Sequence, residues 1–84
     1  MPIILPLSPR NQTIISSHGL VKKFQKQCSL LTNNPHHPSL HVELLEPKTH
    51  GVYSFRIDRK YRALFVFRPD TKKIEILSIT VHYR

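Results

Sequence analysis

Three runs of strand-forming residues, joined by short turns, occupy the second half of the chain and constrain its fold most. Residues 52–58 read VYSFRID and alternate between apolar and polar side chains. Residues 61–67, YRALFVF, are almost wholly apolar, which predicts a central strand covered on both faces. Residues 74–83, IEILSITVHY, form the last run and follow the turn at 68–73. Because such short turns reverse the chain, we expect neighbouring strands to be antiparallel.

The first half of the chain predicts helix. From residue 17 to residue 33, apolar residues recur at helical spacing and lysines lie between them, which indicates an amphipathic helix of about four turns. The segment 8–16 is ambiguous, because Ser8 and Pro9 would cap a short helix whereas the β-branched run that follows disfavours one. Residues 2–7 and 41–45 read as short strands.

This order predicts an α+β fold in which one or two N-terminal helices pack on a four- to five-stranded, mostly antiparallel sheet. With 84 residues and no visible repeat or linker, the chain 1–84 is expected to be a single domain.

The charge of the chain points to its partners. Thirteen Lys and Arg oppose five Asp and Glu, giving a net charge of +8. Such an excess favours a polyanion such as nucleic acid, with a membrane surface or a merely basic exterior as alternatives. The chain has one cysteine, no membrane-spanning apolar run and no secretory pattern at its start, so we expect a cytoplasmic protein.

Cysteine and histidine suggest chemistry that we weigh against simpler interpretations. Cys28 could be a nucleophile, but its spacing favours a buried position on the helix. His36, His37 and His41 lie close together and make a zinc site conceivable, although prolines separate them and their spacing fits no familiar ligand pattern. We therefore predict neither a metal nor a cofactor.

Glu43, Arg62 and His82 are stronger candidates for a site. An arginine in the apolar strand 61–67 is costly unless it has a partner. It could pair with Asp58 or Glu75, or its planar donors could hold a phosphate.

RNA cleavage without a metal needs a base for the ribose 2′-hydroxyl, a cation at the phosphorus and an acid for the leaving oxygen. Glu43, Arg62 and His82 could fill these roles in that order. They lie on three different strands of the predicted sheet, so convergence is possible.

Residues 30–67, LLTNNPHHPSLHVELLEPKTHGVYSFRIDRKYRALFVF, contain several short motifs in sequence. They are Asn-Pro at a helix end, His-Pro-Ser-Leu, a Leu-rich strand, a Gly turn, an Arg-containing strand and Tyr-Arg before an apolar strand. This order resembles that of the RelE/ParE superfamily of toxins from type II toxin–antitoxin modules, and the match covers roughly residues 20–84. The ending His82-Tyr83 is similar to that of YoeB-type ribosome-dependent mRNA interferases.

The resemblance implies roles for individual residues. Aligned on HGVYSFRI, Glu43 falls at the position of the base, Arg62 at the catalytic arginine, and His82 and Tyr83 at the terminal acid and aromatic. Such an enzyme cuts mRNA in the ribosomal A site, leaves a 2′,3′-cyclic phosphate and is neutralised by an antitoxin. The cations expected to hold RNA are Lys22, Lys23, Lys26, Lys48, Arg56 and Arg84.

The sequence departs from this group in three places. The segment 8–19 is shorter and less helical than a full helical hairpin, Arg84 extends the usual ending, and the hairpin 68–73 is slightly long. Glu46 could replace Glu43 as the base. Two other functions fit the same fold: a ParE-like inhibitor of DNA gyrase, and a non-catalytic RNA-binding module.

Overall fold

Two helices lie against a four-stranded antiparallel sheet in a computed structural model that describes residues 3–71 and 73–81. The helices are α1 (Pro9–Ser17) and α2 (Val21–Asn33). The strands are β1 (Glu43–Leu44), β2 (Tyr53–Arg56), β3 (Tyr61–Phe67) and β4 (Ile74–Val81). The predicted α+β class is confirmed, with two helices and four strands.

The ambiguous segment before residue 17 is a helix. Ser8 is its N-cap and accepts a hydrogen bond from the backbone N–H of Asn11 at 3.2 Å, with Pro9 in the first turn. Burial of Ile15, which is 4% exposed, outweighs the weak helix propensity of the β-branched residues. The chain therefore has a helical hairpin where the sequence indicated only a weak helix.

Helix α2 begins four residues later than predicted, at Val21 rather than residue 17. The reason is that α1 continues to Ser17 and the chain then turns at Gly19, whose φ of +65° favours glycine. The expected apolar face is present, because Phe24 and Leu31 are buried.

The strands follow one another across the sheet in the order β1-β2-β3-β4, each antiparallel to its neighbour. The register changes between Leu64 and Phe65, which pair with Ser78 and Ile76 respectively. Leu77 is the extra residue of this bulge, and its carbonyl accepts a hydrogen bond from Nδ2 of the buried Asn11 at 3.3 Å. The bulge thus ties β4 to helix α1.

The predicted strand at residues 2–7 is reduced to a single bridge among its described residues, and the predicted strand at 41–45 is present but shorter than expected. Ile4 forms an isolated parallel bridge with Ile74, so the described part of this segment does not add a fifth strand to the sheet. The second is reduced to the two residues of β1, because His41 has a left-handed φ of +45° that ends extended pairing.

The core lies between the helices and one face of the sheet, which we call the covered face. Phe55, Ala63 and Phe65 on this face have no exposed surface, and Phe24 of α2 stacks on Phe55 with ring centroids 6.2 Å apart. The prediction that β3 is covered on both faces is wrong for the described part of the chain. Its alternate residues, including Leu64 and Val66, are half-buried on the opposite face, the open face.

No helix among the described residues has the length and apolar character needed to cross a membrane.

Candidate active site

A pocket of about 270 Å³ on the open face brings together residues from all four strands. The register explains this convergence, because paired residues on antiparallel strands point to the same face. Glu43 pairs with Ser54, and Arg62 pairs with Thr80. The complete lining is Glu43, Leu45, Ser54, Arg62, Leu64, Thr80 and Val81. The structure therefore places two of the predicted site residues, Glu43 and Arg62, in one pocket.

Arg62 is held by neutral oxygens. It is only 6% exposed. Its Nε and Nη2 donate to the hydroxyl of Ser54 at 3.1 and 2.8 Å, and Nη2 also donates to the backbone carbonyl of His41. These contacts satisfy part of the guanidinium without cancelling its charge.

The proposed pairing of Arg62 with Asp58 or Glu75 does not occur. Asp58 binds Lys23, with Oδ2 and Nζ 3.2 Å apart, and Glu75 binds Arg68 at 2.7 Å. Within residues 3–71 and 73–81, these are the two side-chain ion pairs. No carboxylate in the part of the chain that the structure describes therefore contacts the buried Arg62 directly.

The electrostatic surroundings of Arg62 are mixed. Burial lowers the pKa of its guanidinium below the ordinary value, the nearby charge of Glu43 opposes that shift, and the charge of Arg56 adds to it. Arg56 lies directly opposite Arg62 on β2. Arg62 in the pocket and Arg56 beside it on β2 outnumber the one carboxylate of the lining, Glu43, and this balance of charge suits an anion.

One end of the Arg62 guanidinium makes no hydrogen bond to residues 3–71 and 73–81. Nε and Nη2 make the bonds to Ser54 and His41, whereas Nη1 makes none within these ranges. A donor at the edge of an otherwise fixed guanidinium can bind an oxyanion that develops in the pocket.

The remaining predicted residues lie in different places. Lys22, Lys23 and Lys26 belong to α2, in the layer on the covered face, and Lys23 is already paired with Asp58. Lys48 is exposed in a short 3₁₀ helix, Lys48–His50. The helix lysines therefore do not line the pocket.

Three predicted residues, His82, Tyr83 and Arg84, lie outside the described residues. Val81, which immediately precedes His82 in the sequence, lines the pocket. Glu46, the alternative base, is exposed and is not part of the pocket lining. The geometry therefore favours Glu43 over Glu46 as the carboxylate nearest Arg62.

The histidine-rich loop forms a separate pocket of about 260 Å³ lined by His36, His37 and His41. Nδ1 of His37 is engaged with Ser39, whose backbone N–H donates to it at 3.2 Å. Among the described residues, no group of three or more His, Cys, Asp or Glu side chains is arranged to hold a metal ion.

Cys28 is half-buried on α2 and packs against the core. Burial raises the pKa of its thiol to about 12, so the thiolate needed of a nucleophile is scarce at neutral pH. The structural interpretation of Cys28 is therefore favoured.

Sequence reasoning missed Ser54 and the carbonyl of His41 as parts of the site. The alternation of 52–58 placed Ser54 on the same face as Arg56, but a serine in a strand carries no sign of its partner. The contact depends on the register between β2 and β3. No property of the histidine side chain predicts the use of its backbone carbonyl.

The fold of this sheet and helical hairpin is shared with solved structures of YoeB and YoeB/ParE proteins. The chain is similar to a solved YoeB-YefM complex from Staphylococcus aureus, with a TM-score of 0.71, 21% identity, and coverage of 99% of this chain and 100% of the other. It is also similar to a YoeB/ParE toxin from Agrobacterium tumefaciens, with a TM-score of 0.69, 19% identity, and coverage of 99% and 100%.

A YoeB dimer from Staphylococcus aureus matches with a TM-score of 0.69 and 21% identity over 96% of this chain and 94% of the other. No family model and no curated protein matches the sequence. The fold expected from the resemblance to the RelE/ParE superfamily is thus confirmed.

Proposed function

We propose that this protein is the toxin of a type II toxin–antitoxin system and a ribosome-dependent mRNA endoribonuclease. The observation that carries the proposal is the meeting of Glu43 and the buried Arg62 in one pocket on the open face. The fold shared with the YoeB toxins supports the same function.

The proposed reaction uses three side chains. Glu43 takes the proton from the ribose 2′-hydroxyl, whose oxygen then attacks the adjacent phosphorus. Arg62 stabilises the negative charge of the pentacoordinate phosphorus through Nη1. His82 donates a proton to the 5′-oxygen as its bond to phosphorus breaks. The products are a 2′,3′-cyclic phosphate and a 5′-hydroxyl, and the proton taken by Glu43 balances the one that His82 gives.

Other residues hold the RNA and the ribosome in this proposal. Tyr83 stacks on or orients a nucleotide beside the pocket. Arg56, Lys48 and Arg84 bind phosphates near the cleaved bond. The helix lysines, which lie in the layer on the covered face, contact ribosomal phosphates instead of the cleaved nucleotide.

The cognate antitoxin is the second partner. Two of the solved structures with this fold are YoeB-YefM complexes, which supports a protein antitoxin for this chain as well. A toxin that acts on ribosome-bound mRNA works in the cytoplasm, and the net charge of +8 suits its RNA partners.

Primer extension on an mRNA in a reconstituted translation system tests the proposal. We compare the wild-type protein with His82→Ala, and with a reaction that lacks ribosomes. Cuts that require ribosomes and disappear with His82→Ala are expected. Cuts that do not depend on ribosomes, or that persist with His82→Ala, would contradict the ribosome-dependent mechanism or the role of His82.

Inhibition of DNA gyrase is the rival function, because one similar structure is described as a YoeB/ParE toxin. A gyrase inhibitor has no need of an acid and a base. In a supercoiling assay with purified gyrase, we expect no inhibition by this protein. Inhibition without RNA cleavage would replace the nuclease proposal.

A further inference from the structure

Among the described residues, the guanidinium of Arg62 is positioned by neutral acceptors. Most buried charges in proteins are paired with an opposite charge, because desolvation of an isolated ion is costly. Arg62, at 6% exposure, instead binds one hydroxyl and one carbonyl. A carboxylate in the same place would neutralise the cation and compete with a phosphate, whereas a neutral acceptor leaves the full charge for the ligand.

Ser54 fixes the plane of the guanidinium. One oxygen accepts from both Nε and Nη2, which are adjacent donors on the same edge of the group. Ser54 itself is 1% exposed, and its position between Glu43 and Leu64 in the register holds it in the middle of the sheet. The opposite edge of the guanidinium carries Nη1, which makes no hydrogen bond within residues 3–71 and 73–81.

His41 supplies the second acceptor through its backbone. Its φ of +45° lies in the left-handed region, which is uncommon for residues other than glycine. This conformation comes at the end of the 3₁₀ helix Pro38–Leu40 and directs the carbonyl of His41 to Nη2. The histidine-rich loop is thus connected to the pocket through its main chain.

We propose that Ser54 and the His41 carbonyl form a neutral cradle that positions Arg62 for catalysis, and that Ser54 is a positioning residue of the reaction. The catalytic part rests on the proposed nuclease function, whereas the cradle itself does not. Ser54 touches no reacting atom; it acts by fixing which edge of the guanidinium faces the phosphate.

The cradle is tested first without RNA. In a nuclear magnetic resonance experiment on the full chain, the Nε–H of Arg62 should exchange with water at least roughly fivefold more slowly than that of the exposed Arg68, as a net hydrogen bond requires. The protection should disappear in Ser54→Ala, with folding checked by circular dichroism. An Arg62 signal that exchanges as fast as that of Arg68 overturns the cradle, whether or not the protein cleaves RNA.

The catalytic role is tested by a double-mutant cycle on ribosome-dependent cleavage. Ser54→Ala should lower kcat by about tenfold to hundredfold, the scale of a misplaced catalytic group, while KM changes little. In the Arg62→Ala background, the same substitution should cause no further loss of the small residual cleavage, which is followed at high enzyme concentration and long reaction times. Equal losses in both backgrounds would show that Ser54 does not act through Arg62 and would overturn the inference.

Two substitutions at one position test the backbone acceptor. Glycine adopts a positive φ readily and valine does not, so His41→Val should lower kcat more than His41→Gly. Both remove the histidine side chain, so any contribution of the imidazole cancels in the comparison. An equal loss in the two variants would exclude the carbonyl geometry as part of the cradle. If the wild-type protein cleaves no mRNA, the nuclease proposal fails, and the exchange experiment alone decides the cradle.

Discussion

The two faces of the sheet use alternate residues of the same strands for different purposes. On the covered face, Phe55 and Phe65 pack with the helices and have no exposed surface. On the open face, their neighbours Ser54 and Leu64 line the pocket with Arg62. Both faces contain buried residues, but one buries rings and the other buries a charge. The difference shows how strand periodicity lets a chain of 84 residues place its apolar core on one face of the sheet and its candidate site on the other.

The largest effect is expected on the covered face. Phe55→Ala removes a ring packed between Phe24 and Phe65 and should lower the free energy of unfolding by about 3–5 kcal/mol. Denaturant unfolding measures this loss. Leu77→Ala, on a side chain that is 43% exposed, is the control and should cost much less. Equal costs for the two variants would show that the covered face is not the core.

Glu43→Gln should have a smaller effect than Phe55→Ala, and this effect should be on activity and not on stability. Loss of the general base should slow cleavage by about a hundredfold or more, the usual range for such a group. The unfolding free energy should change little, because Glu43 is exposed. Single-turnover cleavage is the measurement, with Glu46→Gln as the matched control. A greater loss with Glu46→Gln would move the base to that residue and contradict the site described above.

A third prediction concerns the N-cap of helix α1, one of the two helices that pack on the covered face. Ser8→Ala removes the N-cap of α1 and should destabilise the protein by about 1 kcal/mol. Ser16→Ala, within the same helix, should be neutral or slightly stabilising because alanine favours helix. Thermal unfolding compares the two. A destabilisation by Ser16→Ala as large as that by Ser8→Ala would remove the special role of the cap.

The smallest effect concerns the turn between β2 and β3. Burial tends to raise the pKa of Asp58, but the backbone N–H groups of Tyr61 and Lys60 and the charge of Lys23 together lower it. Because the folded state has the lower pKa, the stability that Asp58 contributes is present above the unfolded value of about 3.9 and is lost as the pH falls through the folded value.

Asp58→Asn should therefore cost less than about 1 kcal/mol at neutral pH, as expected for a mostly surface ion pair. The cost should shrink as the pH is lowered below 4 (about the pKa of a free aspartate). Urea unfolding at several pH values measures it, with the exposed Asp70→Asn as the control. If the cost of Asp58→Asn grew as the pH fell, the pKa of Asp58 would be raised by folding and not lowered. That result would contradict the contacts of Asp58 with Tyr61, Lys60 and Lys23.

Strand periodicity predicted the faces well but the ends of elements poorly. Strand β3 was predicted at its observed bounds, since an almost wholly apolar run between two turns leaves little choice. Helix α1 forms because Ile15 is buried, and β1 is short because His41 has a positive φ. Local residue propensities predict neither feature. Tertiary packing decided both.

The site was predictable where a residue type conflicts with its surroundings. Arg62 was conspicuous as a charge in an apolar strand, and Glu43 was one of only five acidic residues. Ser54 was not conspicuous, because its role depends on lying beside Arg62 across two strands. The roles of Glu43, Arg62, His82 and Tyr83 in catalysis stay predictions.

The most direct test of the account is to measure cleavage and stability on the same preparations of Arg62→Ala and Arg68→Ala. Both remove an arginine from β3 or its end, but Arg62 lines the pocket and Arg68 is paired with Glu75 at the surface. We expect Arg62→Ala to stay folded and to lose nearly all ribosome-dependent cleavage. Arg68→Ala should keep both its stability and its cleavage activity. Normal cleavage by folded Arg62→Ala would contradict the claim that the open face carries the chemistry.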